Sequence, residues 1–169
     1  FTHSNTCFKS NILGTLEVIK FASIHRSTMI YSASSSKFGR TSTGKNEHLS
    51  PYSWSKSKNI ELIKNYSRWF SLDYEIVYFF NVYGPKQIKN HFMSAVIAIF
   101  EESYLNDKPL PVVKPGTQRR DFTHVSDIVR GVYLAFKKGR NDEYLLGTGR
   151  NYSINQIASL FKCKIKYVD

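Results

Sequence analysis

Hydrophobic residues recur along this chain at helical spacing, then at strand spacing, in alternation. Over residues 7–25, Ile12, Leu16, Ile19 and Phe21 fall near one helical face while Lys9, Glu17 and Lys20 lie largely off it, which predicts an amphipathic helix. The run Thr28-Met29-Ile30-Tyr31 is short, apolar and followed by small polar residues, the pattern of a buried strand that feeds a loop. Residues 38–50 are rich in Gly, Ser and Thr and predict that loop. Pro51 suits a first helical turn, and Ile60, Leu62, Ile63, Tyr66 and Phe70 would give a helix over 51–71 its buried side.

Residues 74–80 read as a second strand, closed by Asn81 and the Gly84-Pro85 turn. A helix follows over 92–104, with Phe92, Val96, Ile99 and Phe100 at helical spacing, then a short strand over 110–113 and the Pro115-Gly116 turn. Residues 121–125 are a further extended stretch, and Ser126 is a candidate N-cap for a helix over 127–137. A strand over 144–146, a helix from Ser153 to Phe161 and a strand over 164–168 complete the chain. Strands alternating with helices predict an α/β fold with a parallel sheet.

Composition and charge narrow the picture. A hydrophobic content of 41% and an aromatic content of 15% are enough for a packed core and exclude a disordered chain. The formal net charge is +11, but Lys and Arg are dispersed. That excess reads first as a solvated basic surface and next as attraction for a diphosphate-bearing ligand. A basic helix or a stacking-aromatic pattern, the marks of a nucleic-acid binder, is not found. Two distant cysteines, Cys7 and Cys163, lead us to expect a reducing compartment, a cytoplasmic location and no metal site. No apolar stretch approaches the roughly 20 residues of a membrane helix, so no membrane partner is expected.

The candidate chemistry lies in two segments. Tyr52 and Lys56 are four residues apart on a predicted helix and so share one face. An ammonium held beside a phenol favours the phenolate. The Ser-rich strip Ser32-Ala33-Ser34-Ser35-Ser36 at the end of the first strand offers a hydroxyl that can relay a proton to such a base. That trio suits proton abstraction coupled to hydride transfer from a sugar carbinol.

The Ser-rich strand end, Tyr52-x-x-x-Lys56, Asn81-Val82-Tyr83-Gly84-Pro85 and Arg119-Arg120-Asp121-Phe122-Thr123-His124-Val125 occur in one order over most of the chain. Together they resemble the extended short-chain dehydrogenase/reductase superfamily, and within it the NAD-dependent nucleotide-sugar epimerases of the UDP-glucose 4-epimerase type. The resemblance implies a Rossmann-like, doubly wound parallel sheet with part of a small substrate-binding subdomain. It assigns residues 1–84 and 120–147 to the NAD-binding domain, and 85–119 and 148–169 to the nucleotide-sugar-binding region. NAD would be the cofactor, a nucleotide-diphosphate sugar the substrate, and a homodimer the assembly.

Carried over residue by residue, the resemblance makes Tyr52 the general base, supported by Lys56, with Ser34 as the hydroxyl relay. Ser34 lies five residues before Gly39, the family's layout, although Phe38 stands where Tyr is usual. Ser32, Tyr52, Lys56 and Phe80 would contact the cofactor, and Ser34, Asn81, Asn90 and Arg120 the substrate. Arg119 competes with Arg120 and His91 with Asn90, while Asp121 and His124 read as structural. Leu145 stands where the family usually carries Asn. Related dehydratases place a Glu, often with Asp, just after the catalytic Ser or Thr; here Ser35 and Ser36 follow Ser34, which favours epimerisation through a transient 4-keto intermediate.

A Gly-x-Gly-x-x-Gly turn for the cofactor pyrophosphate is missing, since Gly147-Thr148-Gly149 is followed by Arg150-Asn151. The resemblance places that loop ahead of Phe1, so the chain reads as an internal piece of a longer enzyme. Alone it is expected to be inactive, to bind NAD poorly and to expose apolar surface. The competing readings are a dehydratase or reductase of the same superfamily, a non-catalytic NAD(H) sensor, and a basic nucleic-acid-binding module.

Overall fold

The computed structural model describes residues 4–38, 40–41, 44–45, 50–89 and 94–169. The chain divides into two units, Phe1–Phe79 with Arg130–Leu146, and Phe80–Val129 with Gly147–Asp169. The first unit begins with α1 (Ser4–Phe8), a π-helical turn at Lys9–Leu13 and α2 (Gly14–Ile24). These occupy the span predicted as one helix. The wider turn was not foreseen, because it changes the backbone ladder and leaves the apolar spacing nearly intact.

β1 (Met29–Ser34) runs into a 3-10 turn at Ser35–Phe38, and β2 (Arg40–Thr41) pairs antiparallel with β3 (Gly44–Lys45). α3 (Pro51–Phe70) and β4 (Tyr74–Phe79) follow. The second unit contributes β5 (Asn81–Tyr83), α4 (Val96–Leu105), β6 (Leu110–Val113), β7 (Arg119–Arg120) and β8 (Phe122–His124). α5 (Val125–Lys138) starts in the second unit and ends in the first, where β9 (Glu143–Leu146) joins the sheet. β10 (Tyr152–Ser153), α6 (Ile154–Leu160) and β11 (Ile165–Val168) belong to the second unit.

In the first unit β1, β4 and β9 form a parallel sheet in the order β1-β4-β9. The register pairs Met29 with Tyr74, Tyr31 with Ile76 and Ala33 with Tyr78, which sets all six side chains on one face. They pack with Ile19 and Ala22 of α2, Ile60 and Ile63 of α3, and Leu72. Ile63 and Ile76 are 0% exposed, and burial of each stabilises the unit by about 2 kcal/mol. β4 is buried on both faces, as a central parallel strand must be. Its Glu75 is buried too, and the carboxylate accepts the backbone N–H groups of Arg140, Asn141 and Asp142 at 2.7, 3.1 and 3.3 Å. A buried charge is tolerated because those donors surround it.

The start of α3 matters for the site. Ser50 is extended and its Oγ accepts the Ser53 N–H at 3.1 Å, while Pro51 fills a first-turn position that needs no N–H. Tyr52 therefore sits in the first turn and Lys56 one turn later. The helix ends where Ser71 turns left-handed, with φ of 56°.

In the second unit β5 pairs parallel with β8, β6 pairs parallel with β11, and β7 pairs antiparallel with β10. Phe100, Leu110, Val112, Phe122, Ile154, Ile157 and Ala158 form its core. Ser153 caps α6 as predicted, and Gln156 completes a capping box by bonding back to the Ser153 N–H. Gly116 has φ of 72°, and a Cβ there would collide with the Asn155 side chain, so only glycine fits this turn. Asn81, expected to end a strand, instead opens β5. Ser126, expected to cap α5, lies inside that helix with its Oγ 2.8 Å from His124 Nδ1. Phe92, from the helix predicted over 92–104, lies outside the described residues; α4 begins at Val96. Among the described residues no helix is long and apolar enough to cross a membrane.

Candidate active site

Four of the residues singled out in the sequence lie in the first unit, around the carboxyl end of β1. Lys56 Nζ donates to the Ser32 carbonyl oxygen at 2.8 Å. Its ammonium also stands over the Tyr31 ring, 4.8 Å from the centroid, within cation–π range. Tyr52 is 49% exposed, so its phenol is open to a ligand. Ser34 ends β1, two residues beyond Ser32.

Burial holds Lys56 below the usual lysine range. Burial also pushes the Tyr31 phenol up to about 12; the hydrogen bond from Asn59 opposes this, and the nearby Tyr52 adds to it. Tyr31 is thus a neutral phenol at pH 7, with a neutral ring beneath the ammonium.

Behind this face lies a polar seam that sequence reasoning missed. Cys7, Asn11 and Thr15 follow one another at helical spacing, as do Ser55 and Asn59 on α3. Asn11 Nδ2 donates to Ser55 Oγ at 2.9 Å, and Ser55 Oγ donates to the Tyr52 carbonyl oxygen at 2.9 Å. Asn59 Nδ2 lies 2.7 Å from the Asn11 carbonyl oxygen, 3.0 Å from Thr15 Oγ1 and 3.1 Å from Tyr31 OH. The available signal was small polar residues four apart within two otherwise amphipathic segments.

The second unit holds Phe80, Asn81 and Arg120. Asn81 Nδ2 donates to the Asp121 carbonyl oxygen at 3.0 Å, fixing its amide beside β8. Asn81, Gln87, Gln118 and Arg120 give the polar lining of a cavity of about 410 Å³, with Val96 and Phe122 among its apolar walls. The two neighbouring arginines have different tasks. Arg119 donates to the Asn151 side chain and, at 2.7 Å, to the Asn151 carbonyl oxygen, and it reaches Gln156 at 3.4 Å. Arg120 is exposed and donates to the Arg119 carbonyl oxygen at 2.9 Å.

Asp121 orders the following loop. Its carboxylate accepts Thr148 Oγ1 at 2.7 Å and the Thr148 and Gly149 N–H groups at 3.1 and 2.9 Å. Phe80 closes on Gly147, where a Cβ would come within 3.0 Å of the Phe80 ring and 2.9 Å of Asp121. His124 stacks edge-on against Tyr83. Asn90 and His91 lie outside the described residues. Among the described residues no group of three or more His, Cys, Asp or Glu could hold a metal ion.

Comparison with known proteins follows the same outline. Residues 1–147 match the model of the NAD dependent epimerase/dehydratase family. A putative UDP-glucose 4-epimerase of Methanocaldococcus jannaschii is 33% identical over 119 residues, 70% of this chain and 38% of that protein. A UDP-glucuronate 4-epimerase of Thermodesulfobacterium geofontis is 33% identical over 164 residues, 90% of this chain and 49% of that protein. The crystal structure of the UDP-glucuronic acid 4-epimerase from Bacillus cereus, in complex with UDP-glucuronic acid and NAD, is similar with a TM-score of 0.83 at 25% identity, covering 96% of this chain and 55% of that one. The chain spans about half the length, or less, of the curated relatives it matches.

Proposed function

The chain belongs to the NAD dependent epimerase/dehydratase family, and on that premise we propose that it carries the proton-handling residues of a nucleotide-sugar 4-epimerase acting on a UDP-hexose or UDP-hexuronate. The observation that carries the reading is Lys56, held by the Ser32 carbonyl oxygen one helical turn from the exposed Tyr52. The relatives named above, two of them 33% identical, support the substrate class.

The donor set suits the family's cofactor. Lys56 has three N–H bonds and gives one to Ser32; an ammonium with further donors, at the carboxyl end of a parallel strand, fits the ribose hydroxyls of a dinucleotide. Lys56, Tyr52, Ser32 and Phe80 would hold NAD, which when bound supplies the acceptor and donor of hydride.

The remaining work falls to this chain's own side chains. Tyr52 removes the proton from the sugar's C4 hydroxyl and later returns one, with Ser34 relaying it. Lys56 favours the phenolate through its positive charge. Arg120 and Asn81 bind the diphosphate and sugar, since a guanidinium fork matches phosphate oxygens. Ser35 and Ser36 bear no carboxylate, and the water elimination of a dehydratase calls for an acid and a base there. Assembly as a homodimer is part of the same proposal.

The test uses the complete gene product with UDP-glucose, UDP-galactose and the corresponding uronic acids, without added NAD, followed by chromatography. Interconversion that Tyr52→Phe abolishes supports the epimerase. A folded protein that carries NAD but converts none of the four sugars overturns it.

A further inference from the structure

Lys56 is constrained by more than its bond to Ser32. The ammonium sits over the face of Tyr31, a β1 residue only 6% exposed. The Tyr31 hydroxyl lies 3.1 Å from the amide nitrogen of Asn59, which is 1% exposed. Asn59 is anchored in turn by the Asn11 carbonyl oxygen in the π-helical turn at Lys9–Leu13 and by Thr15 Oγ1. Its nitrogen has two protons for three oxygens, and among the described residues its own Oδ1 has no partner.

Such an arrangement costs stability, since a buried amide with an unanswered oxygen is unfavourable and an apolar residue would fill the space without that penalty. We propose that Tyr31 and Asn59 are positioning residues for Lys56: the Tyr31 ring forms a shelf for the ammonium, and Asn59 fixes the plane of that ring. The proposal deepens the epimerase reading and rests on it for its catalytic consequence, although the geometry it names exists independently of turnover.

The shelf has a clear physical task. Lys56 is partly buried, which disfavours its charged form, and the ring's negative face compensates without competing for the N–H bonds that a ligand would need. A carboxylate in that place would hold the ammonium more tightly but would cancel the positive charge felt at Tyr52. A neutral ring holds the lysine and leaves its field intact.

The test is proton–carbon NMR of the complete gene product labelled at the lysine ε-carbon, with the Lys56 signal assigned by its loss in Lys56→Arg. A methylene held over a ring face resonates upfield of the other lysines. The upfield signal is expected in full in the wild type, reduced in both Tyr31→Phe and Asn59→Ala, each of which removes the bond between the Tyr31 hydroxyl and Asn59, and lost in Tyr31→Leu. Kinetically, Tyr31→Leu is expected to lower kcat about tenfold with little change in KM, whereas Tyr31→Phe stays within about twofold. A wild-type Lys56 signal within the common lysine envelope overturns the shelf, and this needs only the conservative Lys56→Arg variant for assignment, not a folded Tyr31 or Asn59 variant. Turnover with an unshifted Lys56 would leave the epimerase and remove the shelf; a shifted Lys56 with no turnover would do the reverse.

Discussion

Lys56 donates to the Ser32 carbonyl oxygen at 2.8 Å, so the helix that presents Tyr52 is tied to the end of the strand that presents Ser34. The link uses a main-chain acceptor that no substitution at position 32 removes. It fixes the lysine through a neutral acceptor rather than a carboxylate.

Replacing Lys56 by Met should separate stability from activity. Burial lowers the Lys56 pKa, so between that lowered value and 10.5 the unfolded chain binds more protons than the folded one. Stability from this group is therefore full above pH 10.5 and falls as pH drops through the folded value. Lys56→Met removes that pH dependence: its stability should vary less than that of wild type between pH 7 and 10.5, as read by urea unfolding. Activity should fall about 100-fold or more, because the phenol loses its charged neighbour.

Tyr31 titrates with the opposite sign. Its phenol is raised from 10.0 to about 12, so its contribution is complete below pH 10 and is lost as pH rises to about 12. At about 1.4 kcal/mol per pKa unit, the two-unit shift sets an upper scale of about 3 kcal/mol. Tyr31→Phe should flatten the fall in stability over that interval. Equal alkaline slopes for wild type and variant would show that Tyr31 is not the group responsible.

Glu75 is the buried charge of the sheet, and its environment is all donor. Glu75→Gln would leave a neutral carbonyl oxygen for the Arg140 and Asn141 N–H groups, which share Oε1, and turn its NH2 toward the Asp142 N–H. A loss of about 3 kcal/mol is expected in urea unfolding, with faster amide exchange at Arg140, Asn141 and Asp142.

Much of the frame was legible because it rests on local rules. Pro51 after Ser50 marked the start of α3, Ser153 marked that of α6, and alternating apolar runs marked β1 and β4. The π-helical turn was hidden, since Ile12, Leu16 and Ile19 keep near-helical spacing across it. Glu75 was hidden for a different reason: within Tyr74–Phe79 it reads as one polar residue in an apolar strand, and the N–H groups that stabilise it come from residues 140–142. At the candidate site, Tyr52 and Lys56 were visible because their relation is local to one helix. Tyr31 and Asn59 were not, because their roles arise from packing between segments far apart in sequence. Arg119 and Arg120 could be ranked only by resemblance, and their partners differ in ways adjacency cannot reveal.

Those partners make the two arginines a sharp comparison. Arg119 is committed to Asn151 and Gln156, which lie beside β10 and at the start of α6, so its removal should loosen that end of the second unit. Arg120 lines the cavity beside Asn81 and has no such structural load among the contacts described, apart from its bond to the Arg119 carbonyl oxygen. Arg120→Ala should therefore weaken UDP binding about 30-fold, the loss of a charge-assisted phosphate contact, while stability stays within about 0.5 kcal/mol. Arg119→Ala should do the opposite, lowering stability by about 1–2 kcal/mol and leaving UDP affinity within about threefold. Calorimetric titration of both variants with UDP, beside their urea unfolding curves, reads all four quantities. If Arg119→Ala loses UDP while Arg120→Ala keeps it, the phosphate contact belongs to Arg119, and the bonds to Asn151 and Gln156 would then be a resting arrangement that the nucleotide displaces.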